Sequence, residues 1–161
     1  MMKKLLILGS LTVLFASCIK DAPDSGCPYK ESSVVAPTSE ITSLQNYITA
    51  NRPAAIQHSS GLFYEILNPG TGTVTPGVCN TVTVKYSGYL TNGTKFDENL
   101  TGVSFSLGQL IIGWQKGIPL IKKGGSINLY IPPSLGYGNT ATGSIPANSI
   151  LIFNIQLTEV Q

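Results

Sequence analysis

Val103-Ser104-Phe105-Ser106-Leu107-Gly108-Gln109-Leu110-Ile111-Ile112-Gly113-Trp114 carries the chain's single tryptophan, and the change of pattern inside it decides the fold. Val103, Phe105 and Leu107 share one face at period two, so the stretch opens as a strand. Gly108 ends the alternation. An apolar triplet then leads into Gly113 and Trp114. From there Trp114, Ile118 and Ile121 recur at helical spacing, with Gln115, Lys116, Lys122 and Lys123 elsewhere on the turn. The pattern predicts one short amphipathic helix that lays Trp114 against the concave side of a sheet. Pro119 has no N–H and crowds the previous turn. The helix is therefore expected to be short, distorted near Pro119 and ended by Gly124-Gly125.

The sheet is read from the segments on either side. Leu62, Tyr64 and Ile66 alternate before the turn cluster Asn68-Pro69-Gly70. Val82, Val84, Tyr86, Gly88 and Leu90 fall on one face of a longer strand. Asn92-Gly93 follows as a hairpin signal, and the chain returns through Lys95-Phe96-Asp97. Ile127, Leu129 and Ile131 form another strand closed by Pro132-Pro133, and residues 150–157 form the most apolar one. Residues 134–149 between them are a loop rich in Gly, Asn, Ser and Thr. The sum is α+β: an antiparallel half-barrel sheet wrapped around one short helix, with a helical extension ahead of it.

Charged residues make up 11% of the 161 positions, against about 25% in an average soluble domain, which suits a sheet-rich protein with a neutral surface. Ten basic residues face eight acidic ones, and Lys3 and Lys4 supply the excess. Without a basic patch, nucleic-acid binding has no electrostatic basis.

Lys3-Lys4, an apolar run to Phe15 and the small residues Ala16-Ser17 before Cys18 describe an export signal over residues 1–17. The run is shorter than the roughly 20 apolar residues that span a bilayer. Cys18 resembles a lipobox cysteine, which predicts lipidation at Cys18. Residues 18–37 read as a lipidated flexible tether, and 38–60 as a helical extension. In that extension Thr38 or Ser39 caps a helix that presents Ile41, Leu44, Tyr47 and Ile48 on one face. Residues 61–161 form the main domain. Removing Cys18 leaves Cys27 and Cys79, which form either a disulfide or two independent thiols; sequence gives no distance between them. His58, the only histidine, is read as solvated, and no metal-ligand set surrounds it.

No nucleophile–histidine pair and no phosphate loop are present. What remains is a set of aromatic and aliphatic residues with a few polar tips, the makings of a pocket for an apolar group. Val84-Lys85-Tyr86-Ser87-Gly88, Lys95-Phe96-Asp97, Ile111-Ile112-Gly113-Trp114, Gly136-Tyr137-Gly138, Ile145-Pro146 and Leu151-Ile152-Phe153 resemble the motif series of FKBP-type peptidyl-prolyl isomerases. The extension ahead of them is similar to that of membrane-anchored bacterial FKBP lipoproteins.

The resemblance implies a peptidyl-prolyl cis-trans isomerase without cofactor or metal. It would act on proline-containing unfolded or exported proteins, as a monomer lipid-anchored in a bacterial cell envelope, facing the periplasm or the cell surface. Tyr86, Asp97, Ile111 and Tyr137 would then be catalytic. Phe96, Leu110, Trp114, Ile145 and Phe153 would bind substrate, with Trp114 as the floor and Leu110 and Ile145 on the rim. An aromatic wall residue of some relatives stands here as Val103, and no basic residue follows the Phe96-Asp97 pair. The alternative is a non-catalytic chaperone or binding module that uses the same apolar pocket.

Overall fold

Six strands pair antiparallel into one sheet: β1 (Ile56–Gln57), β2 (Phe63–Asn68), β3 (Thr81–Leu90), β4 (Lys95–Ser106), β5 (Ser126–Ile131) and β6 (Leu151–Val160), in the order β1-β2-β5-β6-β3-β4. Two helices accompany them, α1 (Thr38–Asn51) and α2 (Ile112–Gly117). The structure is a computed structural model and describes residues 26–161. The expected leader and the lipidation position Cys18 lie outside the described residues.

β6 shows how the sheet is covered. Leu151, Phe153, Ile155 and Leu157 are buried on the concave side, while Ile152 is buried on the other. Asn154 and Gln156 are exposed, as alternation across a strand requires. Strand register sets Phe63, Tyr130 and Ile152 in one row and Glu65, Asn128 and Asn154 in the next. α1 seals the first row with Leu44 and Ile48. The second row is polar. Asn154 Nδ2 donates to Asn128 Oδ1 at 2.6 Å, and Asn128 Nδ2 donates to Glu65 Oε2 at 3.1 Å. The switch from apolar to polar thus sets how far α1 covers the sheet.

On the concave side, α2 rests directly on β5. A Cβ added at Gly113 would lie 2.5 Å from the Ile131 side chain, and one at Gly117 would lie 2.5 Å from Leu129. Two glycines four residues apart therefore let the helix backbone approach the strand. After Gly117 the chain tightens into a 3₁₀ turn, Ile118–Leu120, around Pro119. The helical path ends there, because Ile121 is extended. This is earlier than the expected stop at Gly124-Gly125, which instead turns the chain into β5, with Gly124 at φ +84°.

The structure adds to the expectations elsewhere. Neither Thr38 nor Ser39 caps α1. Pro37 holds the N-cap position with no side-chain bond, and its carbonyl accepts the Ile41 N–H at 3.0 Å. Proline's fixed φ suits that entry to a helix, and Glu40 in the first turn accepts the Ser134 N–H at 2.9 Å. Ile66 is exposed, and β1 pairs only with Phe63 and Tyr64, leaving the rest of β2 as an edge.

The tether expected over 18–37 is bound to the sheet from Cys27 onward. A disulfide joins Cys27 to Cys79 with Cα atoms 5.6 Å apart, Ala36 is buried in the main core, and its N–H donates to Ser60 O at 2.9 Å. Residues 38–60 likewise share the sheet through β1 and the second core through α1. His58 is half-buried rather than solvated. Its Nδ1 accepts the Ser60 N–H at 3.1 Å and lies 2.9 Å from Ser60 Oγ. Burial, then the nearby Lys116 charge, push its pKa below the usual histidine value.

Candidate active site

Three strands, β3, β4 and β6, deliver aromatic rings to one place. β3 supplies Tyr86. β4 supplies Phe96 and Asp97, adjacent residues that an even strand would send to opposite faces. Register explains how both turn inward. Gly88 pairs with Asp97 and Tyr89 with Lys95, so Phe96 is the extra residue of a bulge. The absent side chain at Gly88 makes room for it. A Cβ there would lie 2.6 Å from Phe96 and 2.9 Å from Phe153.

A second irregularity separates Val84, opposite Val103, from Tyr86, opposite Asn99. The Asn99 side-chain oxygen holds it, accepting the Gly102 N–H at 2.8 Å and the Thr101 N–H at 3.2 Å.

These rings surround Trp114. Its indole meets Tyr86, Phe105 and Phe153 edge-on, with centroids 5.2, 6.2 and 5.1 Å away. Phe96 meets Phe153 the same way at 5.4 Å. Such edge-to-face pairs are worth about 0.5–1.5 kcal/mol each beyond burial. They fix the rings while leaving space above them. The result is a cavity of about 400 Å³, open on one side. Trp114 is only 4% exposed, yet it lines this cavity. Its Nε1–H is buried and meets no acceptor among the described residues.

All nine pocket residues named from the sequence line the cavity: Tyr86, Phe96, Asp97, Leu110, Ile111, Trp114, Tyr137, Ile145 and Phe153. Ile145 sits deeper than a rim position, at 7% exposure. Sequence reasoning missed Phe105 and residues 142–144. The wall thought to lack an aromatic at Val103 has one two residues on, at Phe105. The signal was the shared face of Val103 and Phe105.

The turn after β4 carries Leu110 and Ile111. Leu107 N–H donates to Asn80 O at 3.0 Å, and Gly108 N–H to Val78 O at 2.9 Å. Gln115 Nε2 donates to Leu110 O at 2.7 Å. The Ile111 carbonyl accepts the Trp114 N–H at 2.9 Å and starts α2. The Ile111 N–H donates to no protein group among the described residues. Opposite, the loop with Tyr137 is folded on itself. Gly138 N–H donates to Pro133 O, Asn148 N–H donates to Gly138 O, and Thr142 and Ile145 exchange backbone bonds. Tyr137 is 40% exposed at the mouth.

Asp97 is the one formally charged residue lining the cavity. Its Oδ2 accepts the Tyr86 hydroxyl at 2.6 Å. Burial first, then this bond, push the Tyr86 pKa well above the usual tyrosine value, so the hydroxyl stays a donor at any physiological pH. No His or Cys lines the cavity. Among the described residues no three His, Cys, Asp or Glu side chains gather as a metal would need. The arrangement can enclose an apolar group, present a free backbone donor and a hydroxyl at its edge, and hold one carboxylate in place.

A family model described as FKBP-type peptidyl-prolyl cis-trans isomerase matches residues 72–158. The chain is 46% identical over 106 residues to "FKBP-type peptidyl-prolyl cis-trans isomerase FkpA" of Buchnera aphidicola subsp. Schizaphis graminum, covering 64% of this chain and 42% of that protein. It is 42% identical over 106 residues to the Escherichia coli K12 protein of the same name, covering 64% and 39%. The chain thus spans about two fifths of the length of these curated relatives.

Among solved structures it is similar to FkpA from Escherichia coli, with a TM-score of 0.69 and 37% identity over 76% of this chain and 60% of that one. It is also similar to a peptidyl-prolyl cis-trans isomerase from Pseudomonas syringae, with a TM-score of 0.68 and 28% identity over 78% and 97%.

Proposed function

We propose that this chain, which belongs to the FKBP-type peptidyl-prolyl cis-trans isomerase family, catalyses rotation about peptide bonds that precede proline and so assists the folding of proline-containing proteins. The observation that carries this reading is the aromatic cavity over Trp114, lined by all nine pocket residues named from the sequence.

The physical task is modest in kind and large in barrier. Amide conjugation opposes rotation by about 18–20 kcal/mol, and prolyl isomerisation takes tens to hundreds of seconds unaided. At the twisted transition state conjugation is lost and charge separation falls. In the proposed mechanism Trp114 is the floor under the proline ring, with Tyr86, Phe96, Phe105 and Phe153 as walls. This dry cup favours the less polar twisted bond over the planar one. The Ile111 N–H and the Tyr137 hydroxyl hold the flanking carbonyls in the twisted geometry, so their bonds tighten where the barrier is highest. Asp97 orients Tyr86 through their hydrogen bond and sets the local potential. No proton moves and no covalent bond forms.

The setting is proposed from the same reading. Residues 1–17 act as an export leader. Cys18 becomes the lipidated start of the mature chain, and a short tether to Cys27 holds a monomeric domain at the cell envelope. Unfolded or exported proteins are the substrates. The disulfide from Cys27 to Cys79 supports an oxidising compartment. No helix among the described residues is long and apolar enough to cross a membrane.

A protease-coupled prolyl assay on the full chain tests the enzymatic core. Wild type should speed cis-to-trans conversion of a Leu-Pro peptide, and Tyr137→Phe should slow it. Equal rates with and without wild-type protein would end the isomerase reading.

A further inference from the structure

The turn that presents the Ile111 N–H is braced from outside by a segment that precedes the 72–158 family match. Several contacts converge there. The disulfide fixes Cys27 to Cys79. The neighbours of Cys79 hold the turn itself, since Val78 O accepts the Gly108 N–H and Asn80 O accepts the Leu107 N–H. Tyr29 lies directly on Gly108: a Cβ built there would be 2.3 Å from Tyr29 Cγ and 2.7 Å from its Cδ2. Glu31 reaches the Lys116 ammonium on α2 at 4.0 Å. From inside, Gln115 Nε2 holds the Leu110 carbonyl at 2.7 Å.

We propose that Tyr29 is a positioning residue for the pocket: its ring clamps the Gly108 backbone so that the turn over residues 108–111 holds the Ile111 N–H at the cavity mouth. This role rests on the isomerase reading. The logic is mechanical. A turn with few internal bonds drifts unless something packs on each side, and a donor displaced by about 1 Å can lose much of its value to the transition state. Gly108 is the residue that admits the ring, because any side chain there would push Tyr29 away. The disulfide and Glu31 keep the clamp near its target without touching the cavity.

The test uses the full chain with Tyr29→Ala, Tyr29→Phe, Gly108→Ala and the Tyr29→Ala/Gly108→Ala pair. The readouts are kcat and KM for a prolyl peptide by exchange NMR, thermal midpoint, and amide exchange at Gly108 and Leu110. Tyr29→Ala should lower kcat about five- to tenfold with KM little changed, and speed exchange at Gly108 and Leu110, whose N–H groups are bonded to Val78 O and Leu107 O. Tyr29→Phe should behave as wild type. Gly108→Ala should reproduce Tyr29→Ala, and the pair should be no worse than either single change, since both remove one contact.

Wild-type kcat and unchanged exchange at Gly108 and Leu110 in Tyr29→Ala would overturn the proposal. So would additive losses in the pair. Absence of turnover in the wild type would remove the isomerase reading and the catalytic consequence of the clamp with it. The exchange arm reports separately on whether the ring braces the turn.

Discussion

The two faces of the sheet use similar residues to opposite ends. On the convex face, α1 runs from Thr38 to Asn51 and buries Leu44 and Ile48 against Phe63, Tyr130 and Ile152. On the concave face, α2 runs only from Ile112 to Gly117 before Pro119 tightens it. It covers Ile131 and Leu129 but stops short of sealing the rings of Tyr86, Phe96, Phe105 and Phe153. The opening over Trp114 is what a short helix leaves behind. Burial on one face is therefore spent on stability, and incomplete burial on the other makes a site.

The sharpest way to break this contrast is to make a hole in the sealed face. Leu44→Ala should cost about 2–5 kcal/mol of stability by denaturant titration, through lost transfer energy and a residual cavity. The activity of the folded molecules should not change. A matching loss of activity would mean that the two faces are not separate in role.

The converse change is smaller. Asp97 is exposed, so Asp97→Ala should barely move the unfolding midpoint. It should lower kcat/KM about tenfold, or about 1.4 kcal/mol. Ultraviolet titration of the same variant should show the Tyr86 pKa falling toward the ordinary tyrosine value but staying above it, because burial is the larger cause. A Tyr86 titration that does not move would leave the bond to Asp97 without electrostatic weight.

Protonation separates the regions further. His58 lies outside the cavity and its pKa is depressed by burial. The native state therefore prefers neutral imidazole. This contribution is complete above the ordinary histidine pKa of about 6.5 and is lost as pH falls through the lower folded value. His58→Gln should remove a small part of the acid slope of stability and leave catalysis alone. Equal slopes in both proteins would remove His58 from the account. The smallest expected effect is none: kcat/KM should be flat from about pH 6 to about pH 8.5, because no lining group is a histidine or cysteine. A bell-shaped profile would require a proton transfer that the site does not offer.

Much of this was legible in the residues. The alternation of Val82, Val84 and Tyr86, the Asn92-Gly93 turn and the apolar run of β6 predict their strands because period and turn chemistry are local. The change of period at Gly108 predicts α2, and the motif series predicts which side chains meet. What could not be read depends on partners distant in sequence. The inward turn of both Phe96 and Asp97 comes from a bulge set by β3, since alternation alone would separate them. Phe105 was placed on the correct face, but the irregularity held by Asn99 decides that it reaches the cavity. β1 is two residues long and exists through its pairing with β2. The segment after Cys27 has the composition of a tether, and it is held down by the disulfide, the fit of Tyr29 onto Gly108 and the burial of Ala36.

The central claim is catalytic rotation of a prolyl bond in the cup over Trp114. Two-dimensional exchange NMR on a Leu-Pro peptide, with the full chain present at about a hundredth of the peptide concentration, measures that rotation directly. The account predicts cis–trans exchange cross-peaks that appear with wild-type protein and fade with Asp97→Ala. Peptide signals that shift on binding while exchange stays at the uncatalysed rate of about 0.01 per second would contradict it.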